Sequence, residues 1–224
     1  IAILIRSLII QPFYIPSSSM EPTLLVGDRI FVSKYAYGYS NHSFPFSPKF
    51  SNNRYFYKKP KQGDLVVFKT PADNRTDYIK RLIGLPGDEI QFVNGSLILN
   101  GKKIKREKTE ISELTRCGKF ILNTVTFIET LPNGVKYFAS YNKDGTLQNS
   151  KKYQVPKDHF FLMGDNRDCS KDSRFLNEVG YVKSLNLVGK AKIIFFSNDT
   201  LKGSLLKFWN LQNSFRLKRT FQPL

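Results

Sequence analysis

Short apolar runs bounded by turn signals recur along this chain, and they predict a fold made mainly of β-strands. The runs are rich in β-branched and aromatic residues, and two of them open at a Gly-Asp pair. The clearest runs lie at residues 28–34, 64–69, 78–84 and 188–196. Asn94-Gly95 separates two further runs and favours a two-residue β-hairpin. With 224 residues, the chain can bury a sizeable core, as one large β domain or two smaller ones.

The middle of the chain differs in composition from the regions on either side. From residue 102 to residue 157 it has clusters of Lys, Arg and Glu, two Asn-Gly or Asp-Gly turns, and short aromatic strands. This change predicts a smaller β subdomain over residues 102–157, inserted into a β core of residues 12–101 and 158–224. Near the C-terminal end, residues 205–217 fit a short basic amphipathic helix, although a strand is also possible.

The first ten residues are almost wholly apolar, with Arg6 as the single charge among them. As a helix they extend roughly 15 Å, about half of a ~30 Å hydrocarbon core. We therefore expect residues 1–11 to be the end of a transmembrane helix that begins upstream, with Arg6 reaching the interface. A buried β-strand is the alternative. A secretory signal segment fits less well, because no Ala-x-Ala-like cleavage site follows.

The formal net charge of +17 predicts attraction to an anionic partner, such as nucleic acid, a phospholipid surface or an acidic protein. Residues 35–61 raise the same question, because Tyr and Phe are mixed there with basic residues and with Ser, Asn and Pro. Such a stretch can stack on single-stranded nucleic acid, lie in a membrane interface, or form a long β-hairpin with packed aromatic side chains.

The candidate catalytic residues are a serine and a lysine. The chain has only two histidines, His42 and His159, and neither lies in an obvious catalytic setting. Ser19 stands in a loop and Lys80 in an apolar strand, so a lysine is the group best placed to activate a serine nucleophile.

The two cysteines, Cys117 and Cys169, are too few for a disulfide framework, and their spacing suits no zinc motif. They form either one bridge or two free thiols, and the sequence leaves both alternatives open.

Five segments form a series along the chain. Residues 17–24 read SSSMEPTL, residues 78–88 read YIKRLIGLPGD, and residues 164–174 read GDNRDCSKDSR. Two further segments, residues 27–32 and 63–68, lie between the first and the second of these. In this order, after an apolar start, they resemble the nucleophile box, the two following segments, the lysine box and the last box of bacterial type I signal peptidases. The similarity extends through nearly the whole chain.

This resemblance implies that Ser19 is the nucleophile and Lys80 the general base of a serine endopeptidase. A lysine of ordinary pKa, ~10.4, is about 0.04% neutral at pH 7, whereas a pKa of ~8 makes about 10% neutral. The apolar neighbours of Lys80 suit such a lowering, and Arg81 is expected to point to the opposite face of the strand. Ser17 matches the family position whose hydroxyl forms the oxyanion hole together with the backbone N–H of Ser19.

The resemblance also implies supporting roles for the last box. Ser170 matches the serine that orients the base lysine, and Cys169 stands where the family often has Asn. The charged residues around Ser170 look like a shell of ion pairs and hydrogen bonds that holds the loop to the active site. They are Asp165, Arg167, Asp172 and Arg174. Met20, next to the nucleophile, matches a residue that lines the substrate site.

The implied function is removal of N-terminal signal peptides from exported preproteins by a membrane-bound serine endopeptidase. The resemblance implies small residues at the first and third positions before the cut, and neither metal nor cofactor. It also places the catalytic domain on the outer, periplasmic side of the bacterial inner membrane. The implied fold is a mostly β, signal-peptidase-like core with an inserted β subdomain. Anionic membrane lipid is the expected partner of the basic charge, and no nucleic acid is expected.

Three other functions explain part of the sequence. A self-cleaving repressor of the Ser/Lys type shares the chemistry, but it requires a DNA-binding helix-turn-helix where this chain has an apolar segment. A basic nucleic-acid-binding β module explains the charge and the aromatic residues, but it leaves the Ser19 and Lys80 boxes unexplained. An organellar inner-membrane peptidase of the same superfamily is disfavoured by the inserted subdomain.

Overall fold

The structure is a computed structural model that describes residues 2–48, 51–199 and 215–224. It begins with a short helix, α1 (Ala2–Leu8), and its other regular elements are strands and short 3-10 helices. In chain order the strands are β1 (Ile10–Tyr14), β2 (Asp28–Ser33), β3 (Leu65–Lys69), β4 (Asp77–Gly84), β5 (Glu89–Val93), β6 (Ser96–Leu99), β7 (Lys102–Lys103), β8 (Lys105–Cys117), β9 (Phe120–Thr130), β10 (Lys136–Asn142), β11 (Tyr153–Gln154), β12 (His159–Met163), β13 (Val182–Lys183), β14 (Leu187–Ser197) and β15 (Gln222–Pro223).

The largest unit is an eight-stranded sheet in the order β1-β2-β14-β3-β4-β12-β13, with β15 paired to β14. Its neighbouring strands are antiparallel. The strand β3 is apolar on both faces, because Leu65 and Val67 pack in one hydrophobic cluster while Val66 and Phe68 pack in another. Since side chains alternate between the faces of a strand, the sheet is covered on both sides here.

Two smaller sheets adjoin the large one, in the orders β11-β5-β6-β7 and β10-β9-β8. A third hydrophobic cluster joins all three, because Phe92 and Leu97 of the first sheet and Tyr137 of the second pack with Phe161 of the large sheet. The strands β8, β9 and β10 lie wholly within residues 102–157. By contrast, β7 and β11 of the same range pair with β6 and β5 outside it.

The strands predicted from apolar runs are confirmed, and no strand end differs from its predicted position by more than one residue. The observed bounds are Asp28–Ser33, Leu65–Lys69, Asp77–Gly84 and Leu187–Ser197. The hairpin turn is also confirmed, since Asn94 and Gly95 have φ angles of 48° and 68°, positive as a type I′ turn requires. The prediction of a mostly β fold is therefore confirmed.

The two predicted terminal segments have different outcomes. The N-terminal one forms α1 and then enters β1, so Ile10 and Gln11 belong to the large sheet. Of the helices that the structure describes, none has the length and apolar character needed to cross a membrane. The helix predicted over residues 205–217 lies outside the described residues, except for its last three positions.

Residues 35–61 are partly packed and partly exposed. Tyr37 is buried, and its hydroxyl donates a hydrogen bond to Asp64 Oδ2 at 3.0 Å. Phe46 and Phe56 lie on the surface. Buried and exposed aromatic side chains therefore both occur in this stretch.

Cys117 and Cys169 form a disulfide, with their Cα atoms 5.5 Å apart. The bond joins the end of β8 to the loop after β12 across a sequence separation of 52. This resolves the alternative that the sequence left open, because only the folding of β8 beside that loop brings the two sulfur atoms together.

Opening this disulfide is expected to lower the free energy of unfolding by about 4 kcal/mol, the loop-closure value for a separation of 52 residues. The measurement is urea denaturation of the wild type with and without a reductant. The double variant Cys117→Ala/Cys169→Ala is the control, because it should unfold like the reduced wild type and ignore the reductant. Coincident curves for the oxidised and reduced wild type contradict this expectation.

Candidate active site

Ser19 lies in a buried 3-10 turn, Ser18–Met20, that follows β1. The side chain of Ser18 donates to the carbonyl oxygen of Arg116 at 2.6 Å, at the end of β8. The backbone N–H of Asn166 donates to the carbonyl oxygen of Ser19 at 3.1 Å, from the loop after β12. The turn is therefore held by two segments that are far from it in the sequence.

Lys80 lies on β4, and its Nζ donates a hydrogen bond to Ser19 Oγ at 2.6 Å. Both side chains are buried, with Lys80 4% exposed and Ser19 7% exposed. Burial lowers the pKa of Lys80 from 10.5 to about 8, while the carboxylates of Asp172 and Asp165 raise it and Arg174 lowers it. An uncharged amine is therefore accessible near neutral pH, in position to take the proton of the serine hydroxyl.

Arg81, the next residue on β4, directs its charge away from Ser19. Its Nε donates to Asp165 Oδ1 at 2.7 Å and its Nη2 to Asp165 Oδ2 at 2.6 Å, a bidentate and buried pair. The hydroxyl of Thr23 also donates to Asp165 Oδ2 at 2.5 Å. The segment that contains Ser19 and Thr23, the strand β4 and the loop after β12 thus meet at the carboxylate of Asp165. That Arg81 and Lys80 have different partners agrees with the alternation of neighbouring strand residues.

Asp172 organises the end of the same loop. Its Oδ2 accepts hydrogen bonds from the N–H of Gly164 at 2.9 Å and from Ser170 Oγ at 2.7 Å, and Arg174 Nε donates to its Oδ1 at 2.8 Å. Although burial raises the pKa of Asp172, Arg174 and these hydrogen bonds hold it below its usual value. Ser170 therefore donates to a carboxylate that itself raises the pKa of Lys80.

Gly164 allows this loop to lie directly against the Ser18–Met20 turn. A Cβ atom at this position would overlap the side chain of Ser170 and the carbonyl oxygen of Ser19. The close approach explains why a glycine stands between β12 and the charged part of the loop.

A cleft of about 420 Å³ opens beside Ser19 and Lys80. Its walls come from the end of β1, the Ser18–Met20 turn and the start of β4. They include Phe13, Ile15, Met20, Tyr78 and Ile79. Met20 is fully buried in the core as well as part of this wall. Ser17 is exposed at the cleft, with its Oγ 3.4 Å from Ser19 Oγ.

The two histidines bond to groups other than Ser19 and Lys80. His42 Nδ1 is 3.0 Å from Ser47 Oγ, and His159 Nδ1 is 2.8 Å from the carbonyl oxygen of Lys157. A larger cavity of about 970 Å³ lies beside His42 and is lined by neither member of the Ser19–Lys80 pair. In residues 2–48, 51–199 and 215–224, no three His, Cys, Asp or Glu side chains converge as metal ligands do.

Sequence reasoning missed the partner of Arg167, which is Glu129 on β9. Arg167 Nη2 donates to Glu129 Oε2 at 2.8 Å, and both side chains are 1% exposed. One signal was available in the sequence. Glu129 stands at alternate positions with Val125 and Phe127 and so shares their face of β9, and those two side chains pack against a hydrophobic cluster. An acidic residue at an inward-facing position implies a buried cationic partner, but the sequence does not say which one.

Several known proteins match the chain. A sequence profile described as "Signal peptidase, peptidase S26" matches residues 1–196. Signal peptidase I of Rickettsia typhi is 42% identical over 243 residues, covering 100% of this chain and 89% of that protein. Signal peptidase I of Rickettsia canadensis is 43% identical over 245 residues, with the same two shares. A crystal structure of a signal peptidase I from Enterococcus faecalis V583 is 24% identical and covers 59% of this chain and 97% of that chain, with a TM-score of 0.35.

The amine of Lys80 is expected to titrate near pH 8, because burial lowers its pKa. An NMR pH titration of lysine side chains labelled with ¹³C and ¹⁵N measures this directly, and the ordinary lysine value of ~10.4 is the reference. Lys34 is also buried, and its pKa is lowered to about 8, so Lys80→Met and Lys34→Met are both needed to assign the two signals. A signal that disappears in Lys80→Met and titrates near 10 contradicts the expectation.

Proposed function

The chain belongs to the signal peptidase family, peptidase S26, and on that premise we propose that it is a membrane-bound serine endopeptidase with a Ser19–Lys80 dyad. Its substrates are exported preproteins, from which it removes the N-terminal signal peptide. The observation that carries this proposal is the 2.6 Å contact between two buried side chains that stand 61 residues apart in the sequence. A buried lysine with a lowered pKa beside a serine hydroxyl has the geometry of a base and its nucleophile.

The first half of the reaction forms an acyl-enzyme. Neutral Lys80 takes the proton of Ser19 Oγ as the oxygen attacks the scissile carbonyl carbon, and a C–O bond forms. The tetrahedral intermediate collapses, the C–N bond breaks, and the ammonium of Lys80 gives its proton to the leaving amine. The mature protein departs with a free amino terminus, while the signal peptide remains as an ester on Ser19.

The second half returns the enzyme to its starting state. Lys80, neutral again, takes a proton from water as the water oxygen attacks the ester carbonyl. Collapse of the second intermediate breaks the C–O bond to Ser19, and the protonated lysine returns its proton to the serine. The burial of Lys80 supports this cycle, since a pKa of about 8 leaves roughly one lysine in ten neutral at pH 7.

Charge on the tetrahedral oxygen needs hydrogen-bond donors, and we assign them to the Ser17 hydroxyl and the backbone N–H of Ser19. Ser17 is supported by its exposure at the cleft and by its Oγ lying 3.4 Å from Ser19 Oγ. The peptide that carries the Ser19 N–H is supported at its other end, because the carbonyl oxygen of Ser18 accepts a hydrogen bond from the N–H of Glu21 at 3.1 Å. A single donor of this type is worth about 2.7–4 kcal/mol in the transition state.

The signal peptide is proposed to lie as an extended strand in the cleft between β1 and β4. On one side β4 pairs with β3 from Asp77 onward, whereas β12 joins its other side only from Arg81. The backbone of residues 77–79 can therefore add a further strand. Because side chains alternate along a strand, the first and third residues before the cut face the same wall, where Ile79 and Met20 leave room for small side chains.

Residues 12–101 and 158–224 are assigned to the catalytic core and residues 102–157 to an inserted subdomain. The assignment is supported by the origin of the site, since Ser19, Lys80 and Ser170 all come from the first two ranges. It is also supported by β8, β9 and β10, which form a sheet of their own.

The enzyme is placed at the bacterial inner membrane, with the catalytic domain on the periplasmic side and anionic lipid as a partner. Leu4, Ile5 and Ile9 support this placement, because they are exposed around α1. The net charge of +17 supports it as well, since a basic surface is attracted to anionic headgroups.

Cleavage of a preprotein whose signal ends in Ala-x-Ala, in detergent, tests the proposed reaction. We expect the wild type to cut after the second Ala, and Ser19→Ala and Lys80→Met to lose at least about a thousandfold in kcat. Lys34→Met is the matched control, because Lys34 is also buried with a pKa of about 8 but donates to Gln11 instead of to Ser19. Near-normal cleavage by Ser19→Ala or Lys80→Met, with both folded, refutes the dyad.

Lipid binding is tested by sedimentation with vesicles of phosphatidylglycerol, with phosphatidylcholine vesicles as the control. The bound fraction is expected to be larger on the anionic vesicles and to fall as NaCl rises from about 0.05 M to about 0.5 M, because salt screens the attraction. Equal, salt-insensitive binding to both vesicle types assigns the attachment to apolar contacts alone.

A further inference from the structure

We propose that Glu129, on the β10-β9-β8 sheet, is a positioning residue for catalysis. Through Arg167 it holds the loop of residues 164–170 in register with Ser19 and Lys80. This inference rests on the proposed peptidase reaction and adds to it a role for a residue outside the five segments that resemble the family boxes. On this proposal, the three-stranded sheet is part of what makes the active site work.

The carboxylate of Glu129 is buried and fully engaged. It accepts hydrogen bonds from the hydroxyls of Tyr137 at 2.6 Å and Tyr141 at 2.5 Å, and from Arg167 Nη2 at 2.8 Å and Nη1 at 3.3 Å. Burial raises the pKa of Glu129, but Arg167 and these hydrogen bonds hold it below its usual value, so the group is charged. Four donors on one buried carboxylate fix its position closely.

Arg167 depends on this carboxylate, because its guanidinium is 1% exposed. Its remaining hydrogen bonds go to neutral groups: Tyr141 Oη at 2.6 Å, Tyr137 Oη at 2.9 Å and the carbonyl oxygen of Gly164 at 3.2 Å. Removing one partner of such a buried pair leaves an uncompensated charge, which is strongly unfavourable. Without the charge of Glu129, we expect Arg167 to move and to take the loop with it.

The loop between Gly164 and Ser170 is attached to the three-stranded sheet along its length. Besides the Arg167 pair, the N–H of Ser140 donates to the carbonyl oxygen of Asp165 at 2.8 Å, and the N–H of Asn142 donates to Asp168 Oδ2 at 2.7 Å. The disulfide of Cys169 adds a covalent link to β8. The sheet therefore sets where this loop lies.

The other side of the same loop contacts the backbone of Ser19 and the residue next to Lys80. Asn166 donates its N–H to the carbonyl oxygen of Ser19, and Asp165 binds Arg81, the neighbour of Lys80. The loop therefore links Glu129 and Arg167 to the Ser18–Met20 turn. Since a displacement of about 1 Å can reduce the rate about a hundredfold, a small shift of this loop is sufficient to slow the reaction.

The test compares Glu129→Gln with the wild type in cleavage of the Ala-x-Ala preprotein, below the melting temperature of both. We expect kcat to fall roughly 10–100-fold with little change in KM, because the cleft between β1 and β4 is untouched. Glu107→Gln is the matched control: Glu107 lies on β8 of the same sheet and pairs with Lys105 in solvent, with both side chains exposed. It is expected to keep the wild-type kcat.

The pH dependence of kcat adds a readout that stability alone does not move. The charged groups acting on Lys80 are Asp172, Asp165 and Arg174, and the two carboxylates raise its pKa. If the loop moves, the burial that lowers the pKa of Lys80 and the carboxylate contribution that raises it both change, so the pKa departs from its wild-type value. The acid limb of kcat, where Lys80 loses its proton, is then expected at a different pH in Glu129→Gln and at the wild-type pH in Glu107→Gln.

Tyr141→Phe covers the case in which Glu129→Gln does not fold. It removes one hydrogen bond from Glu129 and one from Arg167 but keeps both charges, and it is expected to give a smaller fall in kcat at unchanged KM. A folded Glu129→Gln with the wild-type kcat and pH profile, or one in which only KM rises, overturns the positioning role. Failure of the wild type to cleave, or normal cleavage by Ser19→Ala, overturns the proposed function instead.

Discussion

The burial of Lys80 against Ser19 is the constraint on which the rest of this structure depends. An isolated ammonium is costly to bury, and here that cost lowers the pKa of Lys80 to about 8. The same burial brings its Nζ within 2.6 Å of Ser19 Oγ. Lys80 is the first buried residue of β4, so the scaffold produces the chemical property and the contact together.

Arginine–carboxylate pairs surround this apolar site and connect its parts. Three of them are buried: Arg81 with Asp165, Arg174 with Asp172, and Arg167 with Glu129. Buried pairs often contribute little net stability, but breaking one leaves an unpaired charge, so each pair restricts where its two segments can lie. Two of them join the strand of Lys80 and the three-stranded sheet to the loop after β12, whereas Arg174 and Asp172 both lie in the stretch that follows β12.

Much of the fold could be predicted because strand formation is a local property. Periodic apolar runs located β2, β3, β4 and β14, and Asn94-Gly95 located a tight hairpin. The candidate site could be approached in the same way, since Ser19 and Lys80 stand in segments that resemble known boxes. The link from Arg167 to Glu129 escaped this reasoning, because an ion pair between distant strands leaves only a faint local signal, an acidic residue at an inward-facing position.

By itself, the sequence determined the β character of the chain, its basic charge and the family to which it belongs, because these follow from residue types and their order. Only the tertiary structure decided that Cys117 and Cys169 form a bridge, that Ser170 donates to Asp172, and that Arg167 meets Glu129. Each of these contacts requires two side chains to converge at bonding distance, across gaps or turns that local patterns do not define. Convergence of this kind is a property of the packed sheets, and it exists only after the chain has folded.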